Sequence, residues 1–467
     1  MLILLPAIMS PVITIEKERN SLELLFLTNM RPLEIILQKY LSRIIPFLMF
    51  FFLGLPLLAV AYSFGGIDSQ NNSLQLLMLL ISILQVGAYS LMFSAYCHTT
   101  AGAMICSYLV TIAQMFFFSI MMGAFRRGPE GAMITFAGFQ IVTIFISLGL
   151  SIKYLKERAV VKKRFLYLRF LEGLDKFWKE WNKSFGGIEF FKNDREAKPW
   201  MGAIEFYDKL RSPVGSLTYK LRLMVFIYVP VLIMLLMLLS DNWSRDNIGL
   251  FKVMIFLYMF ILAIVLAVSG MSAISREKSN QTLDLLLTTP MSSGEIVRQK
   301  MKRNRTYLVI FAIPIILCSF VCVIVDTQIY HRYRYYDDDV LLAFSYVSLM
   351  STIVFAYLPL ISWFSCWTGM AFKSRMKSVI VTMTGLTIWI AGPLLAPEII
   401  HGFDLLRSSE FDVFRYLSPA YAPFEFFDKY EFFAPMAFYA CAILSFALYI
   451  SFRLLCIKNA DHYLRNR

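Results

Sequence analysis

The sequence predicts an all-α, polytopic integral membrane protein, and three observations predict it. Of the 467 residues 58% are hydrophobic and only 16% are charged, where a soluble domain carries about a quarter charged. The apolar residues gather into charge-poor runs of about 20, the length a helix needs to cross the hydrocarbon core. One charged stretch occurs twice, at matching places among those runs.

The first apolar run, residues 1–13, is too short to span and lacks the basic start of a cleavable signal. A charged element covers 14–43, and runs at 44–64, 74–97, 101–125 and 132–152 follow it. Residues 153–222 differ in kind. They hold 17 Lys and Arg against 9 Asp and Glu, with Phe177, Trp178 and Trp181 interleaved. Such a mixture could grip single-stranded nucleic acid, but between spans it reads as helices lying on anionic lipid. No nucleic-acid partner is expected; membrane lipids are. Runs at 223–240 and 250–271 precede the second charged element, 274–305, and runs at 306–325, 340–362, 378–397 and 434–457 complete the chain. That gives about ten or eleven membrane helices by the length criterion.

The charged elements are copies. EKERNSLELLFLTNMRPLEIILQK at 16–39 aligns with EKSNQTLDLLLTTPMSSGEIVRQK at 277–300, with 11 of 24 residues identical. Leu22, Leu25 and Phe26, and likewise Leu283, Leu286 and Leu287, fall at i, i+3, i+4 and make one apolar helix face each. Flanked by charge, these stripes lie along a surface rather than span. Each copy then restarts a helix. Ser292 and Glu295 form a capping box, and Pro32 suits a first helical position. FSAYC at 93–97 and FSCWT at 364–368 are a fainter second echo. Two homologous units of a six-helix type result, with domains expected at 1–152, 153–222 (a basic linker and interfacial elbow) and 223–467. The first unit lacks its start, so Met1 is expected to be an internal start or the sequence a piece of a longer one.

Charge sets the orientation. With both charged elements in the cytosol, the basic 153–222 segment, the turn with Lys373, Arg375 and Lys377, and the tail with Lys458, Arg465 and Arg467 fall there too. Asp337, Asp338 and Asp339 and the acidic 398–433 loop fall outside, with Arg126 and Arg127 as the exception. The net charge of +13 is then positive-inside bias. The C-terminus is expected in the cytosol of a multi-pass protein of the cytoplasmic membrane.

No G-x-x-x-x-G-K-[ST], H-E-x-x-H or C-x-x-C occurs, and His98, His331, His401 and His462 are scattered. Cys318 and Cys322 share a helix face, where packing is their expected role. A metal site, catalytic residues and a cofactor on this chain are not expected.

The two elements resemble the signature of type 2 ATP-binding-cassette (ABC) exporter permeases, E-K-E-R-G-T-L-E-L-L-L-T-T-P followed by E-I-x-x-x-K. EKERNSLELLFLTN with EIILQK, and REKSNQTLDLLLTTP with EIVRQK, are the matching stretches. The resemblance implies a six-span permease unit whose coupling helix, after the second span, docks on a separate ATPase that carries ATP and Mg. It places coupling on Glu16, Lys17, Glu18, Arg19, Ser21, Leu22, Glu23, Thr28, Glu34 and Lys39. In the second copy it places it on Glu277, Lys278, Thr282, Leu283, Asp284, Thr289, Pro290, Glu295 and Lys300. Two ATPase copies are expected, one per element, with the charges of Glu16 and Glu277 facing the partner. Departures are Asn20 and Gln281 for the family's glycine, Ser279 for the second acid and Asn29 for the proline. With Ser279 in place of an acid, the second element is expected to bind more weakly, so a Glu16 substitution should matter more. A polytopic lipid or glycan transferase is the alternative, since acidic loops at a membrane face suit one, and a channel is the third reading. The substrate is not legible.

Overall fold

The computed structural model describes residues 4–18, 21–22, 30–63, 69–124, 129–160, 202, 204, 217–238, 245–279, 281–331, 347–348, 350–372, 374–402, 418 and 436–465. Among them there is no strand. The chain is all-α and membrane-spanning: among the described residues seven helices are long and apolar enough to cross a bilayer, at Pro32–Val60, Ser73–Tyr96, Met133–Leu155, Val253–Ser279, Ser293–Val321, Met350–Ala371 and Phe438–Lys458. All ten long apolar runs of the sequence fall wholly or partly in helices. Asp337, Asp338 and Asp339, most of the 398–433 loop and most of 153–222 lie outside the described residues, and 398–402 are the end of a helix.

Two compact units emerge, Met1–Lys163 with Val379–Thr384, and Arg164–Ser378 with Gly385–Arg467. In the first, the N-terminal stub is α1 (Leu4–Met9) and α2 (Pro11–Glu18), broken where Pro11 has no amide hydrogen to donate. Then come α3 (Pro32–Ser63), α4 (Ser69–Tyr96), α5 (Thr100–Ala124) and α6 (Pro129–Val160). The stub is not a surface helix. Leu5, Met9 and Ile13 are fully buried with Ile83, Leu91 and Ala95 in one cluster. Its backbone is tied to α4, because Ser94 Oγ accepts the amides of Ile13 (2.9 Å) and Thr14 (3.2 Å).

The second unit holds α7 (Leu217–Leu238), α8 (Arg245–Ser279), the short α9 (Leu283–Leu287) and α10 (Ser293–His331). A π-helical turn, Ile353–Tyr357, leads into α11 (Leu358–Ala371), followed by α12 (Arg375–Gly402), α13 (Met436–Lys458) and α14 (Ala460–Arg465). Its centre is α8 against α11. Small residues permit the close approach: a Cβ on Gly270 would meet Ser365 Oγ and the Ser362 carbonyl (2.7 Å), and one on Gly369 would meet the Met271 carbonyl (2.5 Å). Where lipid supplies no hydrophobic drive between helices, close contact and interhelical hydrogen bonds hold a bundle. Asn304 on α10 supplies such a bond, donating to Ser362 Oγ at 2.8 Å. The same pairs pack in each unit: stub with α4 and α8 with α11, α3 with α6 and α10 with α13, α4 with α6 and α11 with α13.

Candidate functional site

The second charged element is a helix end, a turn and two helix starts. At the end of α8 the Thr282 amide donates to the Glu277 carbonyl (3.0 Å) and the Gln281 amide to that of Lys278 (3.3 Å). These two bonds, with Gln281 at φ 58°, form a Schellman stop. The position demands a left-handed backbone, which costs an L-residue about 1–2 kcal/mol and glycine almost nothing. That is the physical reason for the glycine in the signature the element resembles. In the first copy the Ser21 amide makes the corresponding bond to the Glu16 carbonyl (3.0 Å). Arg19, Asn20, Glu23, Leu25, Phe26, Thr28 and Asn29 lie outside the described residues.

The restart uses one half of a capping box in each copy. Ser292 Oγ accepts the Glu295 amide (3.3 Å), which opens α10. Pro32 is the first residue of α3, and there Glu34 Oε2 reaches back to accept the Arg31 amide (3.2 Å). The Glu295 carboxylate does not complete its box; it accepts from Gln299 Nε2 (3.2 Å).

The charged residues at each element's start turn inward, contrary to the expectation that they face a partner. Glu277 pairs with Lys300 at 2.9 Å, with side chains 15% and 5% exposed, and its other oxygen accepts from Thr282 Oγ1. Glu16 pairs with Lys39, 18 and 26% exposed in the order Lys39, Glu16. The separation is 23 residues in both. Lys278 donates to the Met370 carbonyl at the end of α11. Lys17 donates to the carbonyls of Ser94 (3.4 Å), Ala95 and Cys97 (3.3 Å) at the end of α4. The reason is electrostatic: the last carbonyls of a helix lack partners and carry partial negative charge, so an ammonium seats there. Glu18 does the complementary job, accepting the Thr100 amide (2.9 Å) where α5 begins. Ser279 stands at that place in the second copy. The second element is thus braced to three spans, its own helix α8, α10 through the Glu–Lys pair and α11 through the neighbouring lysine; the first, on the short α2, is braced to α3 and α4 by the same two kinds of contact.

The residues that face outward are others. Leu283 and Leu287 pack on a cluster of Ala273, Ile274, Val297, Met301, Cys366, Met370 and Cys456. That leaves Asp284, Leu285, Thr288 and Pro290 exposed, with Leu285 70% open. Thr289 is half-buried, its hydroxyl on the Leu286 carbonyl (2.7 Å), and Leu22 is buried in the first unit. Leu285 was missed in the sequence, although it falls off the 283/286/287 stripe and periodicity alone put it opposite. The C-terminal helix also belongs here. Ser293 Oγ donates to Asp461 Oδ1 (2.6 Å), and Ala460 and Leu464 join the cluster under α9.

A second feature lies inside the spans of the first unit. Gln114 donates to Gln85 (2.7 Å), Gln85 to Thr143 (2.6 Å), and Gln140 to Ser82 (2.8 Å), joining α4 to α5 and α6. The fold gathers these glutamines, 26 to 55 residues apart in the chain, into one interhelical network. Groups of His, Cys, Asp or Glu able to hold a metal are absent among the described residues.

Fold and elements together define a multi-pass helical membrane protein with short braced loops that do not span. Residues 217–388, from α7 into α12, match the family described as ABC-2 family transporter protein. The match covers the first part of the second unit and supports an ABC-2-type permease, the membrane-embedded subunit of an ABC transporter, which implies pairing with an ABC ATPase subunit. The transferase alternative finds no support in the match. No curated protein and no solved structure matches the chain.

Proposed function

We propose that the chain is two permease units in one polypeptide, moving its cargo outward across the cytoplasmic membrane. Each charged element couples to one ATPase subunit, which carries the ATP and Mg. The observation that carries this reading is the second element. A leucine 70% exposed, outside any span and flanked by Asp284, Thr288 and Pro290, sits on a turn braced to α8, α10 and α11. An apolar knob in a polar rim is the anatomy of a contact surface, and the braces would carry a push on it into three spans. The recurrence of the Glu–Lys pair and the carbonyl-seated lysine at the first element supports a second coupling surface. In this reading the elements, 153–222 and the C-terminus are cytosolic, as the positive-inside bias favours.

Cysteine at Leu285 tests it. In the assembled transporter, Leu285→Cys should crosslink to the ATPase subunit, and Leu285→Asp should lower co-purification of that subunit by tenfold or more while the permease melts as before. A permease that retains its ATPase through both changes, with no crosslink, would remove the coupling assignment.

A further inference from the structure

One face of α10 carries a pattern that the coupling reading does not use. Arg298, Lys302 and Arg305 are exposed, and they follow one another at steps of four and three, so they share a stripe. The stripe continues without a turn's gap into Val309, Ile313, Leu317 and Phe320, all exposed. The last four face lipid, for they lie within the run that spans. At 1.5 Å per residue, Arg305 lies about 6 Å and Lys302 about 10 Å before Val309 along the helix axis. The polar zone on each side of the hydrocarbon is about 5–7 Å deep, and both side chains are long enough to lie along it. Arg298 stands one turn further out.

Lys302 and several neighbouring polar groups have interactions within the chain. Arg303 turns inward and donates to Ser269 Oγ (3.2 Å) and the Ser269 carbonyl (3.4 Å). Lys300 is taken by Glu277, and the Glu295 carboxylate holds Gln299. Arg298 and Arg305 have no hydrogen-bond or ion-pair partner among the described residues. The pattern is also not imposed by the architecture. At the same register in the first unit stand Leu37, Leu41 and Ile44, of which Leu37 and Leu41 are exposed. The exposed cation of that helix, Arg43, stands off this register.

We infer that this stripe binds the phosphate headgroup of an anionic phospholipid, whose chains lie along Val309, Ile313 and Phe320. Charge complementarity and continuity with the lipid-facing surface argue for lipid rather than protein as occupant. The site belongs to the second unit alone, and the inference does not depend on the coupling reading.

The test uses the full chain in nanodiscs of phosphatidylcholine doped with a fluorescent phosphatidylglycerol, with retention of the probe measured against phosphatidylcholine competitor. Each cation near an anionic surface contributes roughly fivefold in affinity, so the triple change Arg298→Gln, Lys302→Gln, Arg305→Gln should weaken retention about a hundredfold. Replacing Arg298 and Arg305 by Lys should preserve it, as should Arg43→Gln in the first unit. Equal elution and melting of all variants shows that folding is intact, and the Lys variant keeps the comparison usable if the triple change folds poorly. Retention unchanged in the triple variant overturns the inference. So does a triple variant that keeps the probe but sheds the ATPase subunit, which would make the stripe a protein contact.

Discussion

Removing one partner of the Glu277–Lys300 pair should be the most damaging single change in either charged element. In Glu277→Gln, the Lys300 ammonium, only 5% exposed, keeps its charge and loses its counter-charge. Taking away one member of a buried pair costs about 3–5 kcal/mol, and the partial exposure of Glu277 places this case at the low end, about 3 kcal/mol. Thr282 Oγ1 loses a charged acceptor for a neutral one as well. Glu16→Gln should cost less, about 1–2 kcal/mol, because its pair is more open and solvent screens it. Glu16 Oε2 is moreover buried without a partner among the described residues, so its carboxylate is less fully satisfied at the outset. This order reverses the one expected from Ser279 alone. The assay is a double-mutant cycle on thermal unfolding with Glu277→Gln and Lys300→Met, repeated for ATP hydrolysis in the reconstituted transporter. Stability and coupled hydrolysis should fall together in each single change, and the exchange Glu277→Lys with Lys300→Glu should recover part of both. Coupling below about 0.5 kcal/mol, the level of an exposed pair, with no recovery on exchange, would refute the argument that these charges are internal braces.

Gln281→Gly should stabilise the chain by about 0.5–1 kcal/mol. It relieves about 1–2 kcal/mol of left-handed strain at φ 58° and gives back about 0.4–1 kcal/mol of unfolded-state entropy; thermal unfolding in detergent reads the difference. Gly270→Ala should destabilise by about 1–3 kcal/mol, because the added carbon meets the Ser362 backbone carbonyl at 2.7 Å and backbone cannot step aside. Gly149→Ala on α6, where nothing lies within 4 Å, should instead be neutral or favourable on helix propensity, and the folded yields of the two variants measure the contrast.

The sequence by itself determined the class of fold. Run length, scarcity of charge and the 16–39/277–300 repeat fix an all-α membrane chain, because a helix that satisfies its own backbone is the structure a single apolar run can adopt in lipid. It also determined where helices stop and restart. Ser292, Pro32 and Glu34 act within their own turns, so their chemistry is local and readable. What only the tertiary structure decided is which way the charges face. Glu277 and Lys278 are adjacent in sequence, yet one reaches α10 and the other the end of α11, and a repeat motif is silent about which helix ends lie within reach of a lysine. For the same reason Glu18 reads as part of a docking surface and is found holding the start of α5. The glutamines at 85, 114 and 140 are the plainest case. Each alone is an unremarked polar residue in a span, and only the packing of α4 with α5 and α6 brings them within hydrogen-bond distance, where the absence of water makes each bond matter.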